Sequence, residues 1–158
     1  MIASENLLQL IMIKHLMDKA NSGIFMPNYH FHWHEADLVY VTQRNYSTEF
    51  EIKISHADFR NDINKTCGKI PKWQYLMEGK GANYFYYVAP KGIIKVGEIL
   101  PYAGLIEINL DGHRKVNYLK TAPRLHKNNS DYIRNKIYEK AYFRYENKIL
   151  LPAIRKIK

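Results

Sequence analysis

The chain has 158 residues, 46% of them hydrophobic and 25% charged, which predicts one folded domain and excludes a disordered chain. A single cysteine, Cys67, excludes an internal disulfide framework and a zinc site built from several cysteines. Charges interrupt the apolar stretch near the start well short of the ~20 residues of a membrane-spanning helix, so no membrane association is expected. These features predict a protein of the reducing cytoplasm, in a bacterium or a phage-infected host.

Charge is distributed unevenly along the chain. The formal net charge is +9, yet residues 1–112 hold 11 Lys or Arg and 12 Asp or Glu, whereas residues 113–158 hold 13 and 3. A basic region of this kind suits contact with a polyanion such as nucleic acid. The alternative is a solvated basic helix with no such partner.

Hydrophobic spacing predicts a helix over residues 4–21, because Leu8, Ile11 and Leu16 recur at helical intervals. Three strands follow, over Phe25–Phe31, Asp37–Thr42 and Tyr46–Ile54. The last two are separated by a short polar turn and are predicted to form an antiparallel hairpin. Glu49, Glu51 and Lys53 alternate with apolar residues and therefore share one face of the third strand.

The second half of the chain alternates between helices and strands. The predicted elements are a helix over residues 56–63, a loop, a short helix over Lys72–Glu78, strands over Asn83–Ala89, Tyr102–Asn109 and Lys115–Leu119, and a long helix over Ser130–Ile149. We predict one α/β domain over residues 1–158, with a central mixed β-sheet flanked by helices. Residues 1–128 form its core, and residues 129–158 hold a long basic C-terminal helix.

The combination of Asp37 with Glu51 and Lys53 carries the clearest chemical signal. Carboxylates on neighbouring strands can converge on one hard divalent cation such as Mg²⁺. A lysine beside that ion can orient the attacking water or stabilise charge on a phosphoryl group. By itself the pattern is weak, since a Glu-x-Lys pair on a strand is usually a solvated ion pair.

Longer stretches of the chain resemble a known family. The run EIKISHADFRND is followed by KWQYL, then by NYFYYVAP and LPYAGLIEIN. Together these stretches, within residues 35–125, resemble the MmcB-like branch of the PD-(D/E)XK nuclease superfamily. The resemblance implies a restriction-endonuclease-like core, Mg²⁺ or Mn²⁺ as cofactor, and hydrolysis of DNA in repair, recombination or phage DNA metabolism. RNA as a substrate and assembly as a homodimer stay open.

The resemblance assigns roles residue by residue. Asp37 and Glu51 match the two acidic positions and Lys53 the lysine, so these three are the predicted catalytic residues. Asp37 and Glu51 are the expected metal ligands, with Glu5 on the first helix as a third candidate. Charge and aromatic rings together predict the DNA contacts, because phosphates attract cations and bases stack on rings. These residues are Lys69, Lys72, Trp73, Tyr75, Arg124, His126 and Lys127.

Other polar residues allow weaker hypotheses. Glu49 shares the face of Glu51 and is expected to be a solvated strand residue; the alternative is that it supports a metal ligand from behind. His30, His32 and His34 alternate and would share one strand face, where a zinc site is conceivable but surface histidines are preferred. Two other functions compete with the nuclease. One is a catalytically inactive nucleic-acid-binding module of the same fold, and the other is a protein-interaction subunit that uses the basic helix.

Overall fold

A computed structural model describes residues 3–19, 23–111, 115–145 and 147–148. Its centre is a mixed six-stranded sheet in the order β1-β2-β3-β6-β7-β8. The strands of this sheet are β1 (Ile24–His30), β2 (Glu35–Val41), β3 (Ser47–Ile52), β6 (Tyr84–Pro90), β7 (Gly104–Ile108) and β8 (Val116–Lys120). The β3–β6 and β6–β7 pairs are parallel and the other pairs are antiparallel. The predicted α/β architecture with a central mixed sheet is thus confirmed.

Helices cover both faces of the sheet. They are α1 (Glu5–Lys19), α2 (His56–Ile63), α3 (Lys72–Met77) and α4 (Asp131–Tyr145). Helix α1 packs Leu8, Met12 and Leu16 against one face, where Phe50 and Ile52 of β3 also lie. Helices α2 and α3 cover the other face around Phe85 and Tyr87 of β6, for example with Phe59 and Leu76. No described helix is long and apolar enough to cross a membrane.

Strand β6 forms the middle of the sheet because its sequence, YFYYVAP, is apolar on both sides. Tyr86 and Val88 contact the α1 side, whereas Phe85, Tyr87 and Ala89 contact the α2 and α3 side. A strand buried on both faces reads as a continuous apolar run rather than an alternating one. The parallel β3–β6 pair places the end of β3 beside the end of β6.

A small ribbon interrupts the segment between α2 and α3, where a loop is predicted. Strands β4 (Thr66–Cys67) and β5 (Ile70–Pro71) pair antiparallel. Gly68 sits in their turn with φ of 65°, a left-handed conformation that glycine adopts without steric penalty. Lys65 and Lys72 flank the ribbon, and the side chains of both contact Glu51 of β3.

Helix α4 packs on the same side as α2 and α3, against β1 and β2. Its buried residues Ile133 and Ile137 contact Met26, Val39 and Val41. Ala141 of the same helix is exposed. Residues 146 and 149 of the predicted helix lie outside the described residues.

Candidate active site

One polar face of β3 is enclosed by the protein. Glu49, Glu51 and Lys53 alternate along the strand as predicted, but they are only 0%, 2% and 3% exposed. Helices α2 and α3 and the β4–β5 ribbon cover them. The expectation that Glu49 is a solvated strand residue is wrong, because β3 is an inner strand whose polar face lies under this layer.

Three lysines surround the Glu51 carboxylate. Lys53 Nζ lies 2.8 Å and Lys65 Nζ 3.1 Å from Oε1, and Lys72 Nζ lies 2.9 Å from Oε2. These cations outweigh burial and hold the pKa of Glu51 well below its usual range. Glu51 is therefore ionised at neutral pH even though almost no water reaches it.

Asp62 of α2 completes the charge balance around Lys53. Its Oδ1 lies 3.3 Å from Lys53 Nζ and 2.7 Å from Lys65 Nζ. Its Oδ2 accepts a hydrogen bond from the Tyr87 hydroxyl at 3.0 Å. Burial and the Asp62 charge raise the pKa of Tyr87 far above its usual range, so the hydroxyl keeps its proton and remains a donor.

Asp37 occupies the point where β2 and β3 separate. Ladder pairing between the two strands begins at Leu38 and Phe50, so Asp37 has no pairing partner on β3. Instead, Asp37 Oδ2 accepts a hydrogen bond from the Ile52 backbone amide at 2.6 Å. Lys53, the next residue, donates its amide to Val88 on the opposite side of the strand. Because amides alternate in direction along a strand, the Ile52 amide faces the gap that Asp37 fills.

The Asp37 carboxyl lies in a negative environment. Burial, followed by the negative charge of Glu51, raises its pKa to about 7, and Glu5 adds to this effect. The Ile52 amide and Lys53 act in the opposite direction and do not cancel it. The structure thus brings Asp37, Glu51 and Lys53 within electrostatic reach of one another, while the exposed Glu5 acts on Asp37 from α1.

The donor set around Asp37 bears on metal binding. Among the described residues, no three His, Cys, Asp or Glu side chains are grouped closely enough to hold an ion. Magnesium, however, takes one or two carboxylates and keeps several waters. Asp37 and Glu51 fit that requirement chemically, and the raised pKa of Asp37 marks a position where added positive charge would be favourable. Glu51 would have to exchange a lysine contact for the ion.

His34 extends this cluster toward Cys67. Its Nε2 lies 3.1 and 3.0 Å from the two oxygens of Glu49. Lys72 Nζ lies 3.1 Å from Glu49, and Lys72 and His34 together lower the Glu49 pKa although burial opposes them. A carboxylate only accepts, so Nε2 donates and Nδ1 faces the Cys67 Sγ at 3.7 Å. His34 is thus a partner of Glu49 rather than a surface histidine.

The three histidines that suggested a zinc alternative do not share a face. His30 ends β1, is exposed and lies 3.4 Å from Glu35. His32 lies in the following loop and is exposed, whereas His34 is directed inward. The loop after His30 breaks the alternation on which the shared face depended.

The predicted DNA contacts fall into two groups. Lys69, Trp73, Arg124 and Lys127 are exposed, and Trp73 and Arg124 border an apolar cavity of about 420 Å³. Lys72 and Tyr75 are each 3% exposed, and His126 Nε2 lies 3.1 Å from the Ala82 carbonyl oxygen. Lys72 serves the carboxylates of β3, and Tyr75 packs edge-on against His34.

Sequence reasoning missed Lys65, His34 and the burial of Glu49 and Asp62 as parts of this cluster. The alternation of polar and apolar residues did identify Glu49, Glu51 and Lys53 as sharing one face. Of the two acids on α2, Asp62 is buried and Asp58 is partly exposed. Lys65 and Lys72 flank residues 66–71 in the sequence, and both contact Glu51 of β3. Their placement on either side of a short segment was the feature of the sequence that could have indicated this.

Comparisons with known proteins bear on the fold. No protein-family model matches the chain, and no curated protein matches it. A solved structure from Silicibacter pomeroyi, described as a protein of unknown function, is similar with a TM-score of 0.65. The two chains are 17% identical, and the match covers 92% of each. This similarity extends the α/β fold to a second protein.

Proposed function

We propose that the chain is a divalent-metal-dependent nuclease that hydrolyses phosphodiester bonds of DNA, built on a restriction-endonuclease-like core. The observation that carries the proposal is the position of Asp37 at the split between β2 and β3, beside Glu51 and Lys53. The basic region within residues 113–158 supports a polyanionic substrate. The sequence resemblance to MmcB-like proteins supports the same reaction.

In the proposed mechanism Asp37 and Glu51 would hold Mg²⁺ or Mn²⁺, which would supply a water of lowered pKa and offset charge on the phosphoryl group. Lys53 lies 2.8 Å from Glu51, so its ammonium can orient that water and stabilise the transition state. Tyr87 and Asp62 keep Lys53 in place, because Asp62 accepts from the hydroxyl and pairs with the amine.

The experiment is a cleavage assay on single-stranded, duplex and branched DNA at pH 8 with Mg²⁺ or Mn²⁺. Wild-type protein is expected to cut at least one substrate, and a chelator to stop it. Asp37→Asn and Lys53→Met should each reduce the rate by at least roughly 100-fold. Lys91→Met, which removes an exposed lysine, is the matched control and should cut normally.

Folding must be checked in the same preparation, because Asp37 and Lys53 are structural neighbours. Circular dichroism and thermal unfolding of each variant separate a lost reaction from a lost fold. If folded wild-type protein leaves all three substrates intact with either metal, the nuclease proposal is wrong.

One observation favours a second candidate, a nucleic-acid-binding module of the same fold without catalysis. Both oxygens of Glu51 already contact lysines, so the cluster is balanced without an added ion. In that case DNA should bind with salt-dependent affinity but remain uncut. Binding to wild type in the presence of a chelator would then equal binding with Mg²⁺.

A further inference from the structure

A second cavity lies away from the β3 carboxylates, between the end of β1, the end of α3 and the start of α4. Its volume is about 440 Å³. Six of its lining side chains are lysines or histidines, namely His30, His32, Lys80, His126, Lys136 and Lys140. They come from four separate segments of the chain, so the basic character results from folding and not from one charged run.

The charged side chains that line this cavity are basic. Among the residues that the structure describes, no Asp or Glu lines it. Lys80 and Lys136 contact Glu78 and Glu139 at 2.6 Å, and His30 lies 3.4 Å from Glu35, but none of these acids belongs to the wall. A ligand in the cavity would therefore meet cations and neutral donors.

Lys140 differs from Lys80 and Lys136 in its contacts. Its Nζ lies over the Tyr29 ring, 4.6 Å from the centroid, and within the described residues no carboxylate oxygen comes within salt-bridge distance of it. Burial, and then the nearby charges of Arg144 and Lys136, lower its pKa, and the opposing charge of Glu35 does not cancel them. An anion bound beside Lys140 would remove this repulsion.

The remaining wall is polar and held in place. Asn128, Asn129 and Ser130 line one side, and Asn83 fixes this segment by donating to the Asn128 carbonyl oxygen at 2.8 Å. The Ser130 hydroxyl and the His126 ring bond within the protein, so the lysine ammonium groups and the side-chain amides are the groups left to donate hydrogen bonds to phosphate oxygens. Tyr29, Tyr75 and Tyr132 add aromatic surface, against which a base or sugar can pack.

We propose that this cavity binds a phosphate group, carried either by a nucleic-acid strand or by a free nucleotide. A phosphate combines negative charge with several acceptor oxygens in a small volume, which matches a wall of several cations and donors better than a single carboxylate would. The site is separate from the Asp37 and Glu51 centre, so the inference does not depend on the nuclease proposal.

The test is a binding titration in the presence of a chelator, so that cleavage cannot occur. Inorganic phosphate, a nucleoside monophosphate and a single-stranded oligonucleotide are each titrated into wild-type protein. Lys140→Gln should weaken binding roughly tenfold, and Lys136→Gln should also weaken it. Lys140→Arg keeps the charge and should restore most of the affinity. Lys91→Gln, the same charge loss at an exposed lysine outside the cavity, should change little.

The ligands distinguish the two sources of the phosphate. If the monophosphate binds and needs Lys140, the cavity takes a free nucleotide. If the oligonucleotide alone binds in a Lys140-dependent way, the phosphate belongs to a strand, and the slope of log affinity against log salt should fall by ~0.7 for the lost contact. If no ligand shows dependence on Lys140 or Lys136 in folded variants, the proposal is overturned. Because the titration measures binding in the presence of a chelator, its result does not depend on whether the protein cleaves DNA, which separates it from failure of the nuclease proposal.

Discussion

The Asp37 side chain replaces a backbone partner for Ile52 beyond the last paired residues of β2 and β3. Its Oδ2 accepts a hydrogen bond from the Ile52 backbone amide at 2.6 Å. This contact holds open the gap between two strands and keeps a carboxyl group in it. The same position places the group close to Glu51 and raises its pKa to about 7. The position of Asp37 between the two strands thus explains both its hydrogen bond with Ile52 and its raised pKa.

Stability should fall as pH rises from about 4 to about 7, because the unfolded chain releases the Asp37 proton in this window while the folded chain still holds it. The folded carboxyl has a pKa of about 7 against an ordinary value of 3.8, so in this window the folded state binds a proton that the unfolded state has released. Urea unfolding at pH 5 and pH 8 should reveal a loss of ~2 kcal/mol. Asp37→Asn should remove this loss, whereas an equal pH dependence in the variant would contradict the assignment.

Lys72 and Lys65 contact the same carboxylate but should differ in their effect on stability. Lys72 is 4% exposed in its side chain and Lys65 is 52% exposed. Lys72→Met leaves Glu49 and Glu51 buried with less counter-charge, which should lower the free energy of unfolding by ~3 kcal/mol. Lys65→Met should lower it by less than ~1 kcal/mol. Equal losses in urea denaturation would show that the two lysines are not distinguished by burial.

The Cys67 thiol should react slowly with iodoacetamide in the folded protein. It is 3% exposed, and burial raises its pKa, which lowers the reactive thiolate fraction. Mass spectrometry should show a rate at least roughly 100-fold below that in urea. Trp33 borders the same cavity as Cys67, so Trp33→Ala should accelerate the reaction. A fast reaction in wild type would mean that the thiol is accessible.

Asn83 should be important for stability despite its distance from the β3 carboxylates. It is fully buried, accepts from the Ser47 amide at 2.8 Å and donates to the Asn128 carbonyl oxygen. Asn83→Ala should destabilise the chain by ~2 kcal/mol because these buried groups lose their partner. It should also weaken phosphate binding. Asn64→Ala, at an exposed asparagine, is the control and should be nearly neutral.

Local patterns predicted the main elements well. Strand β3 and helix α2 follow from alternation and from Ser55, which caps α2 by accepting the Asp58 amide. Strand β6 was predicted from its continuous run of apolar and aromatic residues. The β4–β5 ribbon was missed because its strands are two residues each, too short for any periodicity to register.

The candidate site was predicted in part. Asp37, Glu51 and Lys53 could be chosen because they lie near one another in sequence. The partners Lys72 and His34 could not, because alternation tells which residues share a face but not whether another layer covers it. Glu49 therefore read as a solvated residue, when its charge is in fact balanced by groups from α3 and from the loop before β2.

The register of β3 against β6, with Glu51 opposite Tyr87, has a consequence for synthesis on the ribosome. Strand β3, which bears Glu51, has an unpaired edge until residue 90 has been translated and has left the exit tunnel. At ~5–20 residues per second, this leaves a nascent chain for some seconds with a row of unpaired backbone groups. Fragments that stop before β6 should aggregate or be degraded, and chaperone demand should be greatest in that interval.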